Sequence, residues 1–370
     1  MTRPGECTQL HPLAPFGWDA RVEAGFARAG IDVDRDVAGR VVRVDRGSCL
    51  VATALGVVRA SPYGVGSRLA GLDEAPATGD WIALSPRQAG EVGPAPWDVT
   101  AIVARRSAVS RKEAEDRVTA EQVLVANVDL LGMVTALDRP VVPNRIERML
   151  AAAWESRAEP VLLLTKADAA EDAAEALRVT ESVAGGVAVV VTSTRTGQGI
   201  DRLRTMIEPA RTLALIGPSG AGKSSLVNAL AGRGVQSTGA VRDDDHRGRH
   251  TTTSRDLIVL ESGGVLIDTP GLRALALWDA EAGVEATFTD IEDLAARCRF
   301  ADCAHRAEPG CTVREAAASG AIEPRRLASY LKLQDELSEL AARQEEQARR
   351  PTGRRSRKLV RPTSSRDDRR

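Results

Sequence analysis

Apolar positions along this chain fall into successive rhythms. From Gly39, short β-branched runs alternate with polar turns: residues 41–44, 49–51, 57–58 and 81–84, separated by Asp-Arg-Gly, Ser-Pro-Tyr-Gly and Thr-Gly-Asp. That spacing predicts a small all-β barrel of about 65 residues. Past a polar, basic connector at 105–112 the pattern lengthens. Residues 128–137 read as a buried strand, 146–158 as an amphipathic helix and 160–164 as another buried strand, the alternation of an α/β unit. Further buried strands are expected at 187–191, 213–216 and 264–267. Near the end, Leu327, Leu331, Leu337 and Leu340 fall on one face of a helix predicted over 325–343. Residues 1 to about 35 carry only a weak amphipathic stretch around 22–29 and no chemistry that can be named.

The strand at 213–216 runs straight into Gly217-Pro218-Ser219-Gly220-Ala221-Gly222-Lys223-Ser224, followed by Ser225 and a helix-compatible run with Leu226 and Leu230. This fits G-x-x-x-x-G-K-[ST] in its required strand, loop and helix context. The glycines let the backbone turn so that successive N–H groups point inward at the positive end of the following helix, where an anion is expected. Lys223 is expected to reach the β- and γ-phosphates, and the Ser224 hydroxyl to take a Mg²⁺ position.

The strand at 160–164 ends in Thr165-Lys166-Ala167-Asp168. At the end of a parallel strand, Asn/Thr-Lys-x-Asp reads guanine: the aspartate accepts hydrogen bonds from N1–H and N2–H₂, which adenine cannot supply, while the lysine stem covers the base. The alternative use of Asp168 is to open a helix running to Arg178. Strand 187–191 leads into Thr192-Ser193, which suits the loop whose backbone contacts the guanine oxygen. The order of these motifs is unusual. In an ordinary GTPase the phosphate loop comes first and the base-reading loops last; here the base-reading loops precede Gly217, so a circularly permuted domain is predicted. A polar segment, 243–253, and a buried strand ending in Asp268-Thr-Pro-Gly271 follow. Asp268 is expected to hold Mg²⁺ through water and the Gly271 amide to meet the γ-phosphate. One of Thr251 to Thr253 is expected on Mg²⁺, Thr252 being preferred. Leu272 stands where many GTPases carry a water-orienting Gln, so a polar group must come from elsewhere. His250 is the nearest candidate, with His246 on the same segment.

Composition changes this picture in two places. The formal net charge of the 370 residues is only -1, but residues 349–370 carry ten Lys or Arg against two Asp, which leaves -9 on the preceding 348. An acidic body ends in a basic arm, expected to be disordered alone and suited to RNA phosphate. Three of the five cysteines fall in Cys298-x₄-Cys303-x-His305-x₅-Cys311. Three thiols and one imidazole make a closed tetrahedral set and predict one structural Zn²⁺, with the metal substituting for a core in an apolar-poor region. The odd count and this clustering argue against a disulfide framework; Cys7 and Cys49 read as ordinary thiols. Prolines and charges occupy the first twenty residues where a signal peptide needs an apolar run, and no segment approaches a membrane span, so a cytoplasmic protein without a membrane partner is expected.

Permuted order, Thr-Lys-Ala-Asp, Gly-Arg-His-Thr-Thr-Thr and Asp-Thr-Pro-Gly-Leu-Arg behind a small β-barrel resemble the RsgA (YjeQ) family of ribosome biogenesis GTPases over roughly residues 38–345. The resemblance implies an α/β P-loop GTPase domain, circularly permuted, with an N-terminal OB-type barrel and a small C-terminal zinc-binding helical module. The expected division is an extension at 1–37, the barrel at 38–106, the GTPase domain at 107–285, the zinc-binding helical domain at 286–348 and the tail at 349–370. It further implies a GTP hydrolase, a monomer, that binds the small ribosomal subunit through rRNA late in maturation and is stimulated by it, and it too points to His250. The same Cys₃His arrangement occurs in that family. Thr165 where Asn is common, and Thr194 after Ser193 where Ala is usual, put nucleotide affinity in question. Two other readings stand beside this one: a GTP-gated rRNA-binding assembly factor whose hydrolysis is incidental, and an ATP-using P-loop enzyme, which Asp168 disfavours. From residues alone, RNA binding by the barrel stands even with a purely structural role, since Tyr63, Trp81 and Trp97 are its only aromatics.

Overall fold

The structure, a computed structural model, describes residues 11–31, 36–62, 75–87, 95–112, 121–232, 255–268 and 281–349. After a helix α1 (Ala20–Arg28), strands β1 (Val37–Asp45), β2 (Ser48–Thr53), β3 (Gly56–Ser61), β4 (Trp81–Pro86) and β5 (Trp97–Ile102) close a barrel in the order β1-β2-β3-β5-β4. Only β3 and β5 pair in parallel. That is the Greek-key barrel of an OB-fold. Its centre is aliphatic, built from Val41, Val51, Ile82, Leu84 and Val99, all fully buried. The 105–112 connector is in part a strand: β6 (Ala108–Lys112) pairs antiparallel with β7 (Glu121–Ala126).

Strand β8 (Leu130–Ala136), helix α2 (Pro143–Glu155), β9 (Glu159–Thr165), α3 (Ala173–Glu181), β10 (Ala188–Val191), α4 (Ile200–Ile207), β11 (Thr212–Ile216), α5 (Lys223–Ala231), β12 (Leu257–Val259) and β13 (Val265–Ile267) build a six-stranded sheet ordered β10-β9-β8-β11-β13-β12. All neighbours are parallel except β12 against β13. Successive residues of β8 serve opposite faces, as strand geometry requires. Leu130 and Val134 join the core with α4 and α5, whereas Leu131 and Met133 join Ile146 and Leu150 of α2. Because five strands are parallel, their C-terminal ends lie along one edge of the sheet, where α/β proteins hold ligands.

The segment ahead of the barrel, which showed only a weak amphipathic stretch in sequence, packs inward. Leu13, Val22 and Phe26 are buried in the same core as Trp81 of the barrel and Met133 of the sheet. Arg40 of β1, 1% exposed, spans these parts. It donates to the carbonyls of Phe16, Gly79 (3.3 Å) and Asn127 (3.1 Å) and to Thr212 Oγ1 (2.8 Å), and lies 5.1 Å over the Trp81 ring. Burial lowers this guanidinium to about 10, yet every contact satisfies a donor, which is the condition for burying an arginine.

Helices α6 (Glu281–Thr287), α7 (Thr289–Ala295), α8 (Thr312–Ser319) and α9 (Pro324–Arg349) complete the described chain. They bury a core of their own, including Phe288, Ile291, Val313, Tyr330, Leu333 and Leu337, against Ala151 and Ala152 of α2. This corrects the expectation that metal substitutes for a core here: the apolar residues are spread over four helices, too thinly for the Cys–His stretch alone to reveal them. Fully buried Glu147 of α2 accepts from Arg325 and Arg326, both at 3.1 Å, and so ties α9 to the sheet domain. Among the described residues no helix is long and apolar enough to cross a membrane.

Candidate nucleotide site and metal centre

The phosphate loop leaves β11 in the conformation its glycines allow. Gly217 has φ +144°, and a Cβ there would meet the Val134 carbonyl at 2.4 Å, so only glycine can make this exit beside β8. Gly222 (φ +93°) precedes α5, whose first residues are Lys223, Ser224 and Ser225. Lys223 Nζ donates to the carbonyls of Gly217 (2.8 Å) and Pro218 (2.9 Å) across the loop. Ser219, Gly220, Ser224 and Ser225 are exposed while Gly217 and Ala221 are buried, so the loop is anchored at its base and open at its rim. A ring of backbone N–H groups with an ammonium beside a helix N-terminus is an anion site.

The two loops expected from sequence to read the base lie at the ends of β9 and β10 on the same edge. Thr165 is buried; its hydroxyl donates to the Ala221 carbonyl at 2.5 Å, and its own carbonyl accepts from Leu137 N at 2.8 Å. Lys166 is left-handed (φ 58°), and its ammonium meets Asp138 Oδ2 at 2.6 Å. This turn sends the chain into a short 3₁₀ helix, Ala167–Ala169, in place of the α-helix that Asp168 would have opened; Asp172 caps α3 instead, accepting from Glu175 N at 2.9 Å. Ala167 N donates to the Thr192 carbonyl (3.1 Å), and the fully buried Ser193 donates its hydroxyl to Asp168 Oδ1 (2.6 Å). That hydrogen bond, with the Arg195 charge beyond it, holds the Asp168 carboxyl below the usual range. Asp168 is therefore an ionised acceptor, aimed by Ser193.

Ligand atoms of Cys298, Cys303, His305 and Cys311 all lie within 4.8 Å of one another. His305 Nδ1 is 3.6 Å from Cys298 Sγ and 3.4 Å from Cys311 Sγ, and those two sulfurs are 3.9 Å apart. Tetrahedral Zn²⁺, with bonds of about 2.3 Å to sulfur and about 2.0 Å to nitrogen, needs ligand separations of about 3.5–3.8 Å. Cys298, His305 and Cys311 already stand at that spacing, and with Cys303 inside the same 4.8 Å cluster the donor set fits a tetrahedral metal after sub-ångström to about 1 Å adjustment of its ligand atoms. Glu308 shapes the intervening loop by accepting from the N–H groups of Ala304 (3.1 Å), Arg306 (2.8 Å) and Ala307 (2.9 Å), which holds its carboxyl down at about 2.

A model of the RsgA GTPase family matches residues 102–278. The small ribosomal subunit biogenesis GTPase RsgA of Streptomyces avermitilis is 47% identical over 336 residues, 90% of this chain and 88% of that protein. The chain belongs to the RsgA GTPase family. A protein of the same description from Streptomyces coelicolor is 43% identical, covering 94% of this chain and 93% of its own length. The crystal structure of YjeQ from Thermotoga maritima superimposes with a TM-score of 0.61 at 27% identity, over 82% of this chain and 98% of that one. YloQ, described as a circularly permuted GTPase, shares the fold with a TM-score of 0.57 at 24% identity, over 82% and 96% of the two chains. The chain is thus a GTPase whose motifs are permuted, as their order in the sequence implied.

On this RsgA fold, the edge formed by the ends of β9, β10, β11 and β13 brings together Thr165 to Asp168, Thr192, Ser193, the loop from Gly217 to Ser225, and Asp268. Sequence reading missed Asp138, which follows β8 and pins the Lys166 ammonium; a lone aspartate in a loop carries no motif. His250, Thr252 and Gly271 lie outside the described residues, as do Tyr63, Cys7 and the tail beyond 349.

Proposed function

We propose that this protein is a Mg²⁺-dependent GTP hydrolase that binds the small ribosomal subunit through its rRNA during late maturation, in the cytoplasm, and is stimulated by it. The observation that carries the nucleotide part is Asp168, ionised and aimed by Ser193, tied to the phosphate loop through Thr165. Relatives named as small ribosomal subunit biogenesis GTPases, matched along nearly the whole chain, support the subunit as partner. The OB barrel, a four-helix module with a Cys₃His set, and the basic tail supply the RNA-facing surfaces in this reading.

In this reading Asp168 accepts from guanine N1–H and N2–H₂, the Lys166 stem covers the base, and the Thr192-Ser193 backbone faces the guanine oxygen. Loop N–H groups and Lys223 neutralise the phosphates, with the Gly271 amide at the γ-phosphate. Ser224, in the first turn of α5 after β11, and Asp268, just past the neighbouring β13, offer oxygen donors, the set a hard cation prefers; with Thr252 they would hold Mg²⁺. Bound there, the cation supplies positive charge to the β- and γ-phosphate oxygens. Cys298, Cys303, His305 and Cys311 hold a structural Zn²⁺, since all four positions are taken by protein. His250 orients the attacking water, because Leu272 can neither donate nor accept.

That same leucine supports a second reading, an assembly factor gated by GTP with incidental hydrolysis. His250→Ala, which keeps every phosphate contact but loses the group that orients water, separates the two. On the first reading it fails to support subunit maturation, and on the second it replaces the wild type. Competition of ATP against GTP tests the nucleotide part; comparable affinities contradict it.

A further inference from the structure

The barrel reaches the phosphate side of the site through one short backbone path. Asp268 follows β13, and its N–H donates to the Asp256 carbonyl at 3.0 Å, one rung beyond the Leu257–Ile267 pair of β12 and β13. Strand β12 has three residues and sits at the sheet edge, so a terminal rung there would fray without support on its far side. The barrel gives that support. Arg43 of β1 pairs with Asp256 in an antiparallel bridge. Thr78, in the turn before β4 and 1% exposed, donates its hydroxyl to the Arg255 carbonyl at 3.0 Å. Thr78 cannot drift, because its own carbonyl accepts from Ala126 N at 2.9 Å. The adjacent Gly79 (φ +95°) lies so close to the end of β7 and to β13 that a Cβ would meet the Ala126 carbonyl at 2.1 Å and Ile267 Cδ1 at 3.1 Å.

We infer that Thr78, a barrel residue remote in sequence from every nucleotide motif, is a positioning residue for Asp268: its hydroxyl clamps Arg255–Asp256, and the Asp256 carbonyl sets the backbone from which the Asp268 carboxylate projects. The inference rests on reading Asp268 as the group that holds Mg²⁺ beside the phosphates. Arg43 contributes mainly through backbone, since its guanidinium is 2.7 Å from Asp45 but 3.8 Å from Asp256.

The test is a Mg²⁺ titration of full-length protein binding a fluorescent, non-hydrolysable GTP analogue, with circular dichroism and zinc content as fold controls. Thr78→Val removes one hydrogen bond at constant shape, so the Mg²⁺ midpoint should rise about two- to tenfold while affinity in EDTA stays at the wild-type value. Thr78→Ser should restore the midpoint, which loss of packing alone would not allow. If the valine variant does not fold, Thr78→Ala carries the same expectation. Asp268→Asn separates the two ways of failing. A midpoint unchanged in Asp268→Asn overturns the reading of Asp268 and the inference with it. A midpoint raised in Asp268→Asn but unchanged in Thr78→Val overturns the inference alone.

Discussion

Thr165 donates its hydroxyl to the carbonyl of Ala221 across 2.5 Å, joining the guanine-reading loop to the phosphate loop. Asparagine is the commoner residue at this place in GTPases, and its amide could donate twice. The hydroxyl has one proton, and the Ala221 carbonyl at 2.5 Å takes it in preference to the Thr135 carbonyl at 3.4 Å, which sets the spacing of the two loops. Thr165 therefore does the bridging that its position calls for, and the question the sequence raised about affinity becomes a measurable one.

Thr165→Val should weaken GTP and GDP alike by about three- to tenfold, the worth of one buried hydrogen bond whose acceptor is left unsatisfied. Thr165→Ser should bind as the wild type. Titration with fluorescent nucleotides reads both; a loss confined to GTP would mean that the bridge acts on the γ-phosphate and not on the spacing of the two loops.

Asp168→Asn should lose GTP by about a hundredfold, since both charge-assisted acceptors vanish, and should gain xanthosine triphosphate, whose C2 oxygen can accept from the new amide. Competition between the two nucleotides is the measurement. Retained GTP preference in the variant would assign base recognition elsewhere.

The motifs behind these proposed sites were legible because each is a contiguous run of residue types that a single ligand would dictate. Strand β5, by contrast, closes the barrel by pairing in parallel with β3 across a long sequence gap, and no local rhythm marks such a pairing. Around 22–29 the weak amphipathic stretch is a helix with Val22 and Phe26 on its buried face, but two apolar positions and the isolated Leu13 gave no sign of which core they would join. On α9 the face read from sequence does pack inward, Leu337 buried and Leu327 and Leu331 partly buried against the same core, but Tyr330 and Leu333 outside that reading are buried too, because the helix packs against α6 to α8 and α2 together. Asp138, Arg40 and Thr78 act through carbonyls or single side chains supplied by other elements, and a linear pattern holds no record of those.

Purified protein should contain close to one Zn²⁺ per chain, and Cys303→Ala should lose it. Because the module has its own core, the variant should keep its helix content and its GTP affinity, with hydrogen exchange rising only across residues 298–311. Metal analysis without zinc in the wild type, or global unfolding of Cys303→Ala, would contradict this.

Gly283 of α6 faces the Ala151 carbonyl of α2 so closely that a Cβ would lie 2.1 Å from it. Gly283→Ala should destabilise the protein by about 1–3 kcal/mol or lift the C-terminal helical module from the sheet domain, with the phosphate loop unaffected. Denaturation followed through tryptophan fluorescence reads the first, and GTP affinity at the wild-type value confirms the second part.

The most direct test of the whole account is GTP turnover by the purified protein with and without purified small ribosomal subunits at constant salt. Slow turnover alone and an increase of at least about tenfold with subunits is the predicted result, lost in Lys223→Ala. Equal turnover with and without subunits, in a protein that binds GTP, would contradict it.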